Sequence, residues 1–264
     1  MSHTAVPPSG VFSPSRTSAA TKPERYFHVL AAALLVAAML TGFHHFYFQG
    51  RAYPGREITP PIRLLVILHG SAMAAWMLVF LIQPLLILGN NRKLHRKIGM
   101  VGAAIAGCAV LLGLKVGVES ARVKPPEMIQ YGLTPNQFMS IPILSILVFG
   151  GCVAAAVAYR RNPALHRALM LVGTLSAVTA AMARIDFMNG LFAHTVLQRI
   201  FGVYATTLFV ATLLLVLKTA MMRKLDRALA IGWVGLALFF ACAVQIATTP
   251  LWGGIATFLL RVMA

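Results

Sequence analysis

Four histidines have the type and placement to do metal chemistry. His69 sits inside an otherwise apolar run, Leu64 to Leu88, that holds one His, one Gln and no charged residue. His44 and His45 close the apolar run before it, and His194 opens a later one. Neutral imidazole suits Fe, Cu and Zn, and a His pair from two helices ligates haem iron. His69 with His44 or His45 is the expected pair, with His194 as a substitute. The cofactor would be haem b or a transition metal. Met73 lies one turn after His69 on the same face, so the two cannot approach one iron from opposite sides.

Further polar groups fall near the same ends of the apolar runs. Arg184 and Asp186 precede the turn-like Asn189-Gly190, and Lys115 and Glu119 are four apart, a spacing that pairs them on one helix face. Polar side chains in lipid are costly unless they face the bundle interior. A polar pocket lined by Arg184, Asp186, Glu119 and Lys115 is therefore expected at the outer side. Such a pocket supports a second reading, a small-molecule transporter or sensor. A third is an accessory subunit whose partner holds the chemistry. No Walker A, G-x-S-x-G or H-E-x-x-H motif is present, so no catalytic residue is assigned.

Seven apolar runs must position these groups, over 27–47, 63–88, 98–118, 138–159, 167–187, 195–217 and 228–248. Each approaches the roughly 20 residues that a helix needs to cross a hydrocarbon core. Apolar residues make up 59% of the 264 and charged residues 11%, and mean hydropathy is +0.79. These values point to an all-α integral membrane bundle in a lipid bilayer, not a soluble globule. No run alternates with period two, which argues against a β-barrel. The Ser-, Thr- and Pro-rich residues 1–25 read as a cytoplasmic tail, and 26–264 as a single transmembrane domain. The first run is longer than the apolar region of a signal peptide and reads as a retained helix. Residues 251–262 are too few to span and either continue the seventh helix past Pro250 or lie at the interface.

The net charge of +17, from 23 basic and 6 acidic residues, would suggest nucleic acid in a soluble protein. Here the cations concentrate in alternate loops, among them Arg92, Lys93, Arg96 and Lys97 after the second run and Arg160 and Arg161 after the fourth. That pattern orients a membrane protein with its N-terminus in the cytoplasm, and nucleic-acid binding is not needed to explain it. The cysteines Cys108, Cys152 and Cys242 lie inside apolar runs and imply no disulfide framework.

A weak repeat opens three of the runs: Leu94-His95-Arg96, Leu165-His166-Arg167 and Leu225-Asp226-Arg227. The third copy has Asp where the others have His. Because Asp is a good helix N-cap, the shared role reads as starting a helix, which argues against a ligand role for His95 and His166. His3 and His28 read as interfacial residues.

Two stretches resemble a known group. One runs from His69-Gly70 through Trp76 and Gln83 to Leu94-His95-Arg96-Lys97-Ile98-Gly99. The other joins Leu165-His166-Arg167 and Met170 to Ala180 and Arg184-Ile185. They resemble multi-pass bacterial membrane proteins classified as domains of unknown function, in which H-R-x-x-G and H-R-x-x-M turns open helices. The second stretch departs from that pattern at Ala168-Leu169. The resemblance implies a bacterial inner-membrane protein and carries no activity with it.

Overall fold

A computed structural model describes residues 21–53, 56–58 and 60–263. The tail expected over 1–25 lies outside the described residues as far as position 20. Helix α1 (Lys22–Gly42) already begins at Lys22, with proline in its first turn, where a missing N–H costs nothing. A break at Phe43 separates it from the short α2 (His44–Gln49), so the first expected run is two helices. A small hairpin follows, β1 (Arg51–Tyr53) and β2 (Arg56–Glu57).

The next helices are α3 (Arg63–Leu88) and α4 (Arg92–Arg122). Then come the single turn α5 (Pro135–Phe138), α6 (Ser140–Ala158) and α7 (Pro163–Met182). The sixth expected run is broken by Gly202, whose φ of 52° suits glycine and few other residues. It divides into α9 (Val196–Phe201) and α10 (Ala205–Met222), after the short α8 (Asp186–Gly190). The chain ends with α11 (Arg227–Ile246) and α12 (Pro250–Val262). Among the described residues seven segments are long and apolar enough to cross a membrane, and α3, of 26 residues, is about 39 Å long at 1.5 Å per residue. The protein is an all-α seven-helix bundle of the multi-pass membrane kind.

The helices pack in a ring: α1 on α3, α3 on α4, α4 on α6, α6 on α7, and α7 back on α1. Helices α10 and α11 close against α7 from the other side. This makes α7 the hub, buried from Ala168 to Met182 on nearly every face. Small residues permit the close contacts. A Cβ on Gly113 would meet Ile146 of α6 and His69 of α3, and one on Gly117 would meet Ile143. The interior is also tied by hydroxyls: Tyr204 Oη bonds the Ser145 hydroxyl at 2.9 Å and the Ile141 carbonyl at 3.1 Å, and Thr207 donates to Thr179 at 3.1 Å. Trp76 packs edge-on against Phe149 and reaches Thr174. The outward faces stay apolar, with Leu111, Ile231 and Leu238 exposed, as contact with lipid tails requires.

Helix α12 does not extend α11. Its Trp252 is buried and donates to the Asn136 carbonyl at 2.9 Å. With Ala256 it joins Val118, Ala121, Met139 and Ile143 in a second, smaller apolar cluster. The strap lies over the end of the bundle where α4 finishes and α6 begins.

Candidate functional site at the amino-terminal end of the bundle

Of the histidines expected to pair at the far end, opposite the start of α1, His44 and His45 are engaged locally. His44 and His45 stack with ring centroids 3.7 Å apart. Nδ1 of His44 bonds the Thr41 carbonyl at 2.7 Å, and Nδ1 of His45 bonds Gln49 at 2.8 Å. His194 is exposed, with φ of 62°. His69 is half-buried against α4, near the Ala109 backbone and Gly113, and its buried Nδ1 has no hydrogen-bond partner.

The four residues of the expected polar pocket also have separate duties. Lys115 and Glu119 pair at 2.9 Å, and Arg122 joins Glu119 at 2.7 Å. Lys115 and Arg122 donate to the Met263 carbonyl, and Arg122 to that of Leu260. These are the carbonyls that the last turn of α12 leaves free, and cations there also meet the negative end of the helix dipole. Arg184 lies over the Phe43 ring at 4.5 Å and donates to the Ala180 carbonyl. Asp186 is exposed. The pairing of Lys115 with Glu119 follows from their spacing; its use as a clamp on α12 has no local signal in the sequence.

The gathered chemistry lies at the other end, where α1 begins. His95 and His166 have ring centroids 6.4 Å apart at an interplanar angle of 74°. Nδ1 of His95 bonds the Gln83 carbonyl at 3.3 Å, and Nδ1 of His166 bonds the Ala156 carbonyl at 2.8 Å. A carbonyl accepts only, so in each ring Nδ1 carries the proton and Nε2 keeps its lone pair. Metal-ligating histidines have this same outward N–H bond to a carbonyl. Beside the pair, both side-chain amide atoms of Gln83 are buried and without a partner. They face Gly99, one turn after His95.

Local sequence explains how the two rings are held. The N-caps of α4 and α7 are Asn91 and Asn162, which accept from the amides of Leu94 and Leu165 at 3.0 and 3.3 Å. Asp226 does the same for α11 through Leu229 at 2.9 Å. Asp226 is thus the counterpart of the two asparagines, not of the two histidines. The repeat is offset by one helical turn in its third copy, and the position equivalent to the histidines is Ala230. The expectation that His95 and His166 start helices is corrected. Each histidine instead reaches back to the last turns of the preceding helix.

A buried ionic network adjoins the pair. Glu24 of α1 bonds Arg167 at 2.7 Å. Lys218 of α10, 2% exposed, lies 2.6 Å from Asp226, 3.6 Å from Glu24 and 3.5 Å from Nε2 of His28. Four helices meet in this cluster. Burial alone would raise the Asp226 carboxyl, but its bonds to Lys218 and the Leu229 amide prevail and hold it below its ordinary value of 3.8. A depressed carboxylate stabilises the fold above its unfolded pKa, and that stability is lost as pH falls through the folded value. Thermal stability in detergent therefore declines below about pH 4. Asp226→Asn keeps the cap, is less stable at neutral pH and flattens the acid decline. A slope unchanged by that substitution would place the acid sensitivity elsewhere.

Among the described residues no three His, Cys, Asp or Glu side chains gather to hold a metal ion. A bare zinc ion takes three or four protein ligands, whereas haem iron needs only one or two axial groups. The pair brings together two imidazoles, fewer than a bare zinc ion takes. No protein-family model, no curated protein and no solved structure matches the chain, and the reading of this site rests on its geometry.

Proposed function

We propose that the protein is a component of a bacterial inner membrane that holds haem iron between His95 and His166, in electron transfer or respiratory assembly. Its N-terminus lies in the cytoplasm in this reading, because most lysines and arginines cluster at the end where α1 begins. The observation that carries the proposal is the convergence of two imidazoles whose Nδ1 atoms are both turned to carbonyls. Two metal–nitrogen bonds of about 2 Å, with roughly 1 Å from each nitrogen to its ring centre, put ligand centroids about 6 Å apart. The separation here is 6.4 Å. The unpartnered amide of Gln83 adds support, since a buried polar group without a partner is costly and a bound group would supply one. Both stretches that resemble bacterial membrane proteins also include one of these histidines.

Purified protein from haem-replete cells is expected to show a Soret band and bound iron. His95→Gly and His166→Gly lose the band, and added imidazole restores it, which a merely structural histidine would not allow. His69→Ala keeps it. Colourless, iron-free protein would overturn the proposal. A band lost only in His69→Ala would return the site to the far end.

A further inference from the structure

We infer that the outward face of α4 binds an anionic phospholipid, a conclusion independent of the histidine pair. Lys93, Lys97, Met100, Ala104, Cys108 and Leu111 recur every three or four residues and are all exposed. They form one stripe down the helix: two ammonium groups, then an unbroken apolar strip. Met100 and Leu111 are 66% and 71% exposed. Eleven residues separate them, about 16 Å of rise, close to half of a hydrocarbon core about 30 Å thick. The strip is as long as one leaflet is deep, and the lysines stand where its phosphates lie.

Charge selects the headgroup. Arg92 and Arg96, also exposed, flank the lysines, so four cations fall within six residues. Only two carboxylates, Glu24 and Asp226, lie at this end of the bundle, and both are taken by Arg167 and Lys218. Among the described residues none of the four cations pairs with a carboxylate. Uncompensated cations next to a membrane attract anionic lipid. A polynucleotide would satisfy the charges but leave the apolar strip unused.

The test compares phosphatidylglycerol with phosphatidylcholine of the same acyl chains, added to the protein in neutral detergent. Phosphatidylglycerol is expected to raise the melting temperature and to stay bound in native mass spectrometry; phosphatidylcholine does neither. The double variant Lys93→Gln, Lys97→Gln folds but loses the selective shift, while Arg51→Gln, Arg63→Gln at the far end keeps it. Equal shifts with both lipids, selectivity surviving in the lysine variant, or an equal shift with glycerol phosphate alone would each overturn the inference.

Discussion

Lys218→Met is expected to lower the unfolding free energy by about 3–5 kcal/mol, the typical result of removing one partner from a buried ion pair. The ammonium is 2% exposed and lies between Asp226 and Glu24, with the Phe27 ring 5.3 Å away. Without it, Asp226 loses its ion pair and keeps its cap bond to Leu229 and the more distant charge of Arg167. The neighbouring Arg167 is already held by Glu24. Unfolding in mixed micelles with sodium dodecyl sulfate measures the loss. Two further variants separate charge from packing. Lys218→Arg retains most of the stability, and adding Asp226→Asn to Lys218→Met recovers part of it, because the orphaned charge is gone while the cap remains. If Lys218→Met unfolds like the parent, the cluster does not fasten the four helices together.

Gly42→Ala is expected to cost about 1–3 kcal/mol or more, the usual range for overpacking. A Cβ on Gly42 would overlap the backbone carbonyl of Ala181, and a backbone on the hub helix cannot swing aside as a side-chain tip can. The α1–α7 crossing must open instead. Gly107→Ala is the matched control: it lies within α4 with open space around its Cα. There alanine is expected to stabilise by up to about 1 kcal/mol through helix propensity. The sign of the effect should therefore differ between two glycines that look alike in the sequence. Equal effects at the two positions would mean that α1 and α7 do not touch backbone to backbone.

That contrast shows where sequence reading reaches its limit. The span 63–88 coincides with α3 because an apolar run bounded by Arg63 and Gly89 has only one economical conformation in lipid. The breaks at Phe43 and Gly202 fall inside the expected runs 27–47 and 195–217. Gly202 carries its signal only in φ, and a glycine inside an apolar run has no mark that separates a break from close helix contact.

The histidines tell the same story with greater consequence. Composition singles out His69 because its neighbours are apolar, yet what it meets on α4 depends on Gly113, 44 positions later. The offset in the repeat concealed His95 and His166. Aligning Asp226 with the histidines is natural when Leu-x-Arg is matched, but the N-cap bonds align it with Asn91 and Asn162. The cap spacing, Asn or Asp three residues before Leu, was present in all three copies and would have given the correct register. The convergence of the two rings could not be read in this way, since it arises from the ring of helices that brings the starts of α4 and α7 to one end.

Of the three tryptophans, Trp76 and Trp233 pack with the main core, while Trp252 alone belongs to the smaller cluster under α12. The strap thus carries its own chromophore. A chain in which the other two indoles are replaced by phenylalanine would report, by a red shift in emission, the peeling of that one helix while the remaining rods stay assembled.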